Sequence, residues 1–483
     1  YLQAEVIKVD KKANSFDLKI HQECIYEIRR DELIFRGKES SKKDLWKQWP
    51  SWQTTELTWE QNIHWNMWFE GKTKKPVYNE GRYKIKPRPK ASEIKPGVVR
   101  LHNACRNLPE PGMVLIVKGK KEPNRKSPAI CLSESNNVTV EDVTIHHAGG
   151  MGLIAQMCED VYLKRFNVCL PEDSKRVCTT TADATHFNMC RGKITLDNCN
   201  FENMLDDGTN VHGSFVHVEK IIDDKTILCR YMHSQQVGLT FARKGDIIRT
   251  FNQDSLEDYA QLEVEEVKEY NCEFFELVFN KSITNIIKSN TALDNYTWQP
   301  ELIVKNCKVS NNRARSILLQ TARNITIEDN IFECSSACGI QFEGDARFWW
   351  EAGKVEDVII TNNRFINIMG PCIRIAPNVD TEKYPEACYH EGIKVEENKL
   401  EISYNNLVQA HAVRGFEFIN NKIKINNEYN DKLKTLTLNF TGSNNILIKG
   451  NRCQGEEQLQ VNIDKNTDKP LLDENVNINI NQT

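Results

Sequence analysis

A short pattern recurs through much of this chain: apolar residues alternate with other residues, and an asparagine ends the run. It reads Ile194-Thr195-Leu196-Asp197-Asn198 in one place, and it returns with its final asparagine at 330, 363, 398, 421 and 451. Counted from Asn306, these asparagines are separated by 24, 33, 35, 23 and 30 residues. The short steps indicate a repeat of about 23 residues, and the long steps indicate insertions.

Alternation over a few residues predicts short strands, and asparagine tolerates the left-handed turn that can end each strand. A single unit of this kind cannot bury its own apolar face, whereas stacked units form a continuous core. The pattern therefore predicts an all-β chain built around a parallel β-helix. Equivalent positions on successive coils would lie about 4.8 Å apart. A β-sandwich in which the asparagine spacing arises by chance is the alternative.

Two regions break the repeat but alternate well on their own, and both are predicted to be small antiparallel β subdomains set against the β-helix. The predicted organisation is a β-rich entry at 1–95, the first coils at 96–213, an inserted barrel-like subdomain at 214–290 and further coils at 291–483. The entry region contains a tryptophan-rich stretch from Trp46 to Trp68. That stretch indicates either a buried core or a platform for a sugar ring.

Three aspartates are the candidate catalytic residues. Asp183 precedes the pair Asp206-Asp207 by 23 residues, the apparent repeat length, so Asp183 and Asp206 are predicted to stack on neighbouring coils. Counting the same offsets past Asn306 places Arg315 beside Asp207. Clustered carboxylates raise at least one pKa and an arginine lowers its neighbour's, which supplies the acid and the base of glycoside hydrolysis. A solvated Asp-Asp-Gly turn is the alternative.

His186 follows Asp183 by three residues and is expected beside Thr209, with His212 beyond them. Each histidine indicates either a structural role or a contact with substrate. Histidine and aspartate also ligate zinc and manganese. The same residues suit hydrogen bonds to sugar hydroxyls, so neither a metal nor a cofactor is predicted.

A segment from Gln341 to Trp350 interrupts the repeat, because the step from Asn330 to Asn363 exceeds one coil by about ten residues. It predicts a loop or helix at the rim. Its carboxylate, arginine and tryptophans suit a sugar pocket, although the tryptophans of an insertion can equally cover a core. The candidate substrate-binding residues are His186, Asn210, His212, Arg315, Gln320, Glu343, Arg347, Trp349 and Trp350.

Composition narrows the possible partners. A net charge of −4 favours neither nucleic acid nor a membrane surface, and no apolar run reaches the length of a membrane span. Most of the 16 cysteines stand in apolar segments and are expected to pack as small hydrophobic side chains. The chain begins with Tyr1, without a signal-like segment. A removed export signal, and hence a periplasmic or secreted location, is the expectation.

Several segments together resemble glycoside hydrolase family 110, bacterial exo-acting α-1,3-galactosidases of which several remove the terminal galactose of the blood group B determinant. The resemblance covers roughly residues 1–455. The segments that carry it are Asp183-Ala184-Thr185-His186-Phe187, Cys190-Arg191-Gly192, Asn203 to Gly213 and Phe342 to Trp350.

This resemblance implies a right-handed parallel β-helix and metal-independent hydrolysis with inversion, with Asp183, Asp206 and Asp207 as the catalytic carboxylates. The arrangement is also similar to that of inverting polygalacturonases. By that analogy Asp206 is the general acid, and Asp183 with Asp207 activates water. The expected substrate is a galactose-terminated oligosaccharide or glycoprotein glycan, branched or linear.

Two other functional classes compete with this interpretation. A β-helix polysaccharide lyase would use a carboxylate-bound calcium and a basic residue such as Arg315. A non-catalytic carbohydrate-binding solenoid would use the aspartates only as hydroxyl acceptors. A polygalacturonase-like hydrolase is a further alternative, which would use the same three aspartates as the galactosidase. Association of copies into a homo-oligomer through the inserted subdomain stays open.

Overall fold

The computed structural model describes residues 1–36, 60–63, 65–119, 127–288, 290–426, 428–429, 433–454, 458–474 and 478–482. The tryptophans at 46, 49, 52 and 59 therefore lie outside the described residues. Within the described part no helix is long and apolar enough to cross a membrane. Short 3-10 turns stand at Glu80–Tyr83 and Tyr296–Trp298.

An antiparallel sheet forms the N-terminal domain. Its alternating residues bury one face around Phe16, Trp68 and Leu115, each at most 1% exposed. Its strands are Leu2–Asp10, Ser15–Ile20, Ile25–Arg29, Glu32–Arg36, Glu60–Asn62, Trp65–Glu70, Lys90–Lys95, Val98–His102 and Met113–Lys118. The predicted boundary at residue 95 is wrong, because Met113–Lys118 pairs antiparallel with Leu2–Asp10 and with Trp65–Glu70.

A parallel β-helix follows, and the pairing of its strands confirms the predicted fold class. One sheet contains Ile130–Ser133, Leu153–Gln156, Thr185–Asn188, Thr209–Ser214, Arg315–Leu319, Cys338–Phe342, Ile373–Ile375, Asn406–His411, Thr435–Thr441, Gln458–Ile463 and Ile478–Gln482, with Glu351–Ala352 added antiparallel.

The other strands of the coils belong to a second continuous sheet. These strands are Asn136–Ile145, Glu159–Val168, Arg191–Asp197, Asn200–Glu202, Glu301–Lys305, Lys308–Ser310, Ala322–Glu328, Ile331–Glu333, Val355–Thr361, Arg364–Ile366, His390–Glu396, Lys399–Ile402, Val413–Ile419, Lys422–Ile425, Asn444–Lys449, Arg452–Cys453 and Leu471–Asp473. The apolar side chains of both sheets fill one core that runs through the coils.

A closed antiparallel barrel interrupts the β-helix. Its strands are Val216–Ile221, Thr226–Arg230, Ile247–Asn252, Asp258–Glu269, Phe274–Phe279 and Thr291–Asn295. The barrel therefore extends to Asn295, beyond residue 290, and the coils resume at Glu301. The barrel has its own apolar core around Ile248, Leu277 and Leu293.

The repeated asparagines form a buried hydrogen-bonded ladder instead of the predicted left-handed turns. Asn330, Asn363, Asn398, Asn421 and Asn451 are at most 1% exposed and stack as a ladder. From Asn363 onwards, each Oδ1 accepts hydrogen bonds from the backbone N–H and the Nδ2 of the asparagine one coil before, at 2.9–3.1 Å. Asn330 Oδ1 accepts from the backbone N–H of Cys307 at 2.8 Å.

The left-handed conformation belongs instead to the residue before each rung of the ladder, as at Asp329, Asn362 and Asn420. Asn306 is also left-handed (φ 55°) and occupies the position before the ladder column. Lys308 pairs with Ile331, so Cys307, and not Asn306, stands in the column of Asn330. The prediction placed both kinds of asparagine in one series. A buried amide whose donors and acceptor are used between coils stabilises the stack, since an unpaired buried polar group is costly.

Candidate active site

Asp183, Asp206 and Asp207 converge at the turns that lead into two neighbouring parallel strands, Thr185–Asn188 and Thr209–Ser214. The three residues are 3%, 7% and 2% exposed, and one carboxylate oxygen of each lies within 4.8 Å of the others. This Asp-Asp-Gly turn is thus buried rather than solvated. Gly208 allows the close packing of the coils, since a Cβ there would lie 2.4 Å from the Ser316 carbonyl oxygen.

The stacking of these aspartates differs from the prediction by one residue. Thr185 pairs with Thr209, a step of 24, so Asp183 shares a column with Asp207 rather than Asp206, and His186 lies opposite Asn210 rather than Thr209. One coil between these two strands is therefore 24 residues long, one more than the predicted repeat of 23. Extra residues before Asp183 lengthen the preceding coil, in which Leu153 pairs with Thr185, a step of 32.

Arg315 lies beside Asp207, where the register predicts it. Its guanidinium Nη2 is 2.9 Å from Asp207 Oδ2, and its backbone N–H donates to Asp207 Oδ1 at 2.8 Å. Burial raises the pKa of Asp207; Asp183 and Asp206 raise it further, and Arg315 opposes them.

Asp206 contacts two other cations. Lys118 Nζ lies 3.4 Å from its Oδ2, and Arg313 Nη1 lies 3.2 Å from its Oδ1. Lys118 is only 3% exposed and comes from the last strand of the N-terminal sheet, so that domain supplies part of the site. The sequence interpretation missed both cations, because no local pattern links residue 118 to residue 206.

A three-carboxylate cluster is also a possible cation site. Lys118, Arg313 and Arg315 already place positive charge 2.9–3.4 Å from oxygens of Asp206 and Asp207. A further cation would be repelled by these side chains. The surroundings of these aspartates therefore suit proton transfer better than metal binding.

His186 and His212 extend the cluster away from the pocket. His186 Nδ1 is 2.7 Å from Asp183 Oδ2, His186 Nε2 is 2.8 Å from His212 Nε2, and His212 Nδ1 is 2.7 Å from the Gly213 carbonyl oxygen. The two rings meet edge to face, with centroids 4.8 Å apart. Burial lowers the pKa of His212, while the charges of Glu351 and Asp183 act in the opposite direction.

A pocket of about 650 Å³ opens over the aspartates. The predicted residues that line it are Asp183, Asp206, Asp207, His186, Asn210, Arg315, Gln320, Glu343 and Trp349. Residues that the sequence interpretation did not select also line it: Trp65, Glu80, Lys84, Lys118, Arg313, Gln341, Asp345, Glu351 and Arg374.

Two exposed indoles stand in this lining. Trp349 is 38% exposed and Trp65 is 47% exposed, and they come from the inserted segment and the N-terminal sheet respectively. The described part of the tryptophan-rich stretch thus has one indole in the pocket lining and one in the core. Trp65 faces the pocket, whereas Trp68 is 1% exposed in the core and donates from Nε1 to the Tyr83 carbonyl oxygen at 3.0 Å.

Two further carboxylates complete the pocket wall. Burial raises the pKa of Glu343, opposed by Arg315 and reinforced by Glu351. For Glu351, burial acts to raise the pKa, but His212, His186 and a hydrogen bond from Gln320 outweigh it and lower the pKa. The pocket therefore presents carboxyl groups of differing proton affinity.

Three candidates do not line the pocket. Arg347 Nη2 pairs with Asp254 of the barrel at 2.6 Å, Trp350 is 4% exposed and packs against His217, and His212 lies behind His186. Arg347 and Trp350 point away from the pocket because their segment forms a tight turn. In this turn the Asp345 carboxylate accepts hydrogen bonds from the backbone N–H groups of residues 347, 348 and 349. That turn sends successive side chains in different directions.

The fold and the site together define a class: parallel β-helix proteins in which buried carboxylates and exposed indoles form a sugar-sized pocket. Residues 2–115 and 226–293 match the families described as GLAA-B beta-barrel domain I and domain II. The chain belongs to the alpha-1,3-galactosidase family, assigned from its motifs to glycoside hydrolase family 110.

Relatives named alpha-1,3-galactosidase B support that assignment. One from Parabacteroides distasonis is 32% identical over 88% of this chain and 69% of its own length. Others from Phocaeicola vulgatus and Bacteroides fragilis are each 35% identical over 77% of this chain, which spans 66% and 65% of their lengths. The catalytic domain of a GH87 alpha-1,3-glucanase in complex with tetrasaccharides superposes at 10% identity with a TM-score of 0.28, covering 71% of this chain and 50% of that chain.

Proposed function

We propose that this chain is an exo-acting glycoside hydrolase that removes terminal α-1,3-linked galactose from glycans with inversion of configuration. The observation that carries the proposal is the convergence of Asp183, Asp206 and Asp207 beneath a pocket with exposed indoles. The relatives named alpha-1,3-galactosidase B supply the sugar and the linkage. The substrates are blood group B-type or linear α-galactosyl glycans, and the location is periplasmic or secreted.

The reaction needs one carboxylic acid and one carboxylate. By the resemblance to inverting polygalacturonases, Asp206 donates its proton to the glycosidic oxygen as the bond to the anomeric carbon breaks. Lys118 and Arg313, which favour the ionised form of Asp206 before the reaction as well, stabilise the carboxylate that remains. Asp183 accepts a proton from the water that attacks the opposite face of the galactose ring, and Asp207 helps to orient that water.

The stereochemistry rests on the family resemblance rather than on the carboxylate spacing. Inverting enzymes separate their carboxyl groups by about 6.5–9.5 Å, and retaining enzymes by about 5–5.5 Å. The nearest oxygens of the three aspartates lie within 4.8 Å of one another. Inversion therefore requires the water to lie beside these oxygens, against the pocket, rather than directly between them.

The shape of the site supports cleavage from a chain end. The pocket has walls from the β-helix, the N-terminal sheet and the segment around Trp349, and its volume of about 650 Å³ suits a few sugar rings. Trp65 and Trp349 present apolar faces to sugar rings, and the carboxylates and Gln320 bind hydroxyls.

A linkage panel tests the proposal. The protein is incubated with α-1,3-, α-1,4- and α-1,6-linked galactobiose and with the branched blood group B trisaccharide. Release of galactose from the α-1,3-linked substrates alone is expected, and no release from any of them would overturn the proposal. With polygalacturonate added as a uronic acid substrate, an unsaturated product absorbing in the ultraviolet would identify a lyase, although Arg315 is held by Asp207 and is poorly placed as its base.

A further inference from the structure

The two buried histidines behind Asp183 form a continuous hydrogen-bonded line that ends on a backbone carbonyl. From the pocket outwards it consists of Asp183 Oδ2, His186, His212 and the Gly213 carbonyl oxygen, with heavy-atom separations of 2.7, 2.8 and 2.7 Å. His186 and His212 are 8% and 5% exposed. Every link in this line has the length of a good hydrogen bond, so each needs one proton.

Counting those protons restricts the state of the site. The Gly213 carbonyl oxygen can only accept, so His212 Nδ1 carries a proton. The contact between the two Nε2 atoms needs a second proton, and the contact between His186 Nδ1 and Asp183 Oδ2 needs a third. Two neutral imidazoles carry only two N–H groups. The third proton therefore belongs either to Asp183 or to the histidine pair.

Burial lowers the pKa of His212 and opposes a charge on the histidine pair, whereas the surrounding charges and hydrogen bonds favour it. Glu351 Oε1 lies 4.0 Å from His212 Nε2, which stabilises positive charge shared between the rings. The backbone N–H of Asp207 donates to Asp183 Oδ1 at 3.3 Å, which stabilises the ionised form of Asp183. The titratable groups that face the two histidines are thus Asp183, beside His186, and Glu351, beside His212, and Asp207 lies next to Asp183.

We propose that His186 and His212 together hold three protons on their four ring nitrogens, and that this shared positive charge keeps Asp183 ionised and oriented as the base. Asp183 can then accept a proton from the attacking water. His212 is a positioning residue, since it does not line the pocket and acts through His186. Only this catalytic consequence rests on the proposed galactosidase activity.

The proton count is measured directly on the protein without substrate. Histidine is labelled with 15N, and the N–H groups of the two rings are counted by NMR at neutral pH, with signals assigned from the variants His186→Gln and His212→Gln. Three N–H groups and a strongly downfield proton between the rings are expected. Two N–H groups, with Asp183 protonated instead, would overturn the proposal. His146→Gln is the matched control, because His146 Nδ1 also contacts a backbone carbonyl, that of Cys169 at 2.8 Å, without a second histidine.

Kinetics of the same variants test the positioning role. His212→Gln should lower kcat by about 10-fold or more, because a correctly placed general base contributes about 10²–10⁴-fold. KM should change little, since His212 does not line the pocket. An unchanged kcat, or an effect confined to KM, would contradict the role. A wild-type protein without galactosidase activity would refute the proposed function but leave the proton count as a separate result.

Discussion

Replacing Arg315 by methionine should destabilise the protein by an amount that grows with pH. Arg315 Nη2 lies 2.9 Å from Asp207 Oδ2, and two unit charges at that distance attract by about 6 kcal/mol at an effective dielectric constant of about 20. Desolvation cancels part of that attraction. Removing one partner of a buried pair costs about 3–5 kcal/mol. That range is the expected loss of unfolding free energy near pH 8.

The pH dependence follows from the direction of the Asp207 pKa. Burial and the neighbouring aspartates already raise this pKa in the folded protein, and without Arg315 it rises further. A carboxyl group with a raised folded pKa binds more protons in the folded state, so its contribution to stability is present at low pH and is lost as the pH rises through the folded pKa. A protonated Asp207 needs no counter-charge, and its protonated fraction grows as the pH falls. The deficit of Arg315→Met should therefore be smaller at pH 5 than at pH 8.

Urea unfolding of the wild type and Arg315→Met at both pH values measures this deficit, and Asp207→Asn completes a double-mutant cycle. In the Asp207→Asn background, Arg315→Met should cost much less. Arg364→Met removes a surface ion pair with Glu401 at 3.1 Å and serves as the control, with an expected cost of at most about 1 kcal/mol. A deficit for Arg315→Met that is equal at both pH values, or unchanged by Asp207→Asn, would refute the reasoning.

Three further substitutions give separate expectations. Asn363→Ala removes a rung of the buried ladder and should cost about 2–3 kcal/mol of unfolding free energy in urea, since it leaves buried partners unpaired, whereas Asn306→Gly at an exposed left-handed position should be close to neutral. Trp349→Ala should raise KM for an α-1,3-galactoside about 3- to 10-fold through a lost ring contact; an unchanged KM would remove Trp349 from the binding site. Asp254→Asn should raise KM more weakly by loosening the segment that Arg347 ties to the barrel, and an effect equal to that of Trp349→Ala would mean that Asp254 does more than anchor.

The sequence predicts those parts of the fold that depend on periodicity. Alternating apolar residues and recurring asparagines identify the β-helix, because stacked coils repeat the same environment. The register of Arg315 against Asp207 is predictable for the same reason, since Asn198 and Asn306 occupy equivalent left-handed positions. The pairing of Asp183 is mispredicted by one residue, because the coil from Thr185 to Thr209 has 24 residues rather than the 23 of the repeat.

Contacts between the N-terminal sheet and the β-helix cannot be predicted from the repeat pattern. Lys118 reaches Asp206 and Trp65 reaches the pocket only because the N-terminal sheet packs over the first coils, and no repeat connects them. Arg347 and Trp350 are mispredicted for a different reason. Composition indicated that their segment carries pocket residues, but the turn capped by Asp345 decides which side chains face the pocket.

The central claim is that the three aspartates cleave a terminal α-1,3-galactoside, and proton NMR of the digestion tests it most directly. The wild type is expected to release galactose that appears first as the β-anomer, and the double variant Asp206→Asn, Asp207→Asn is expected to release none over the same period. Full activity in the double variant would contradict the assignment of the site. Release of the α-anomer first would contradict inversion and would agree instead with the short carboxylate spacing.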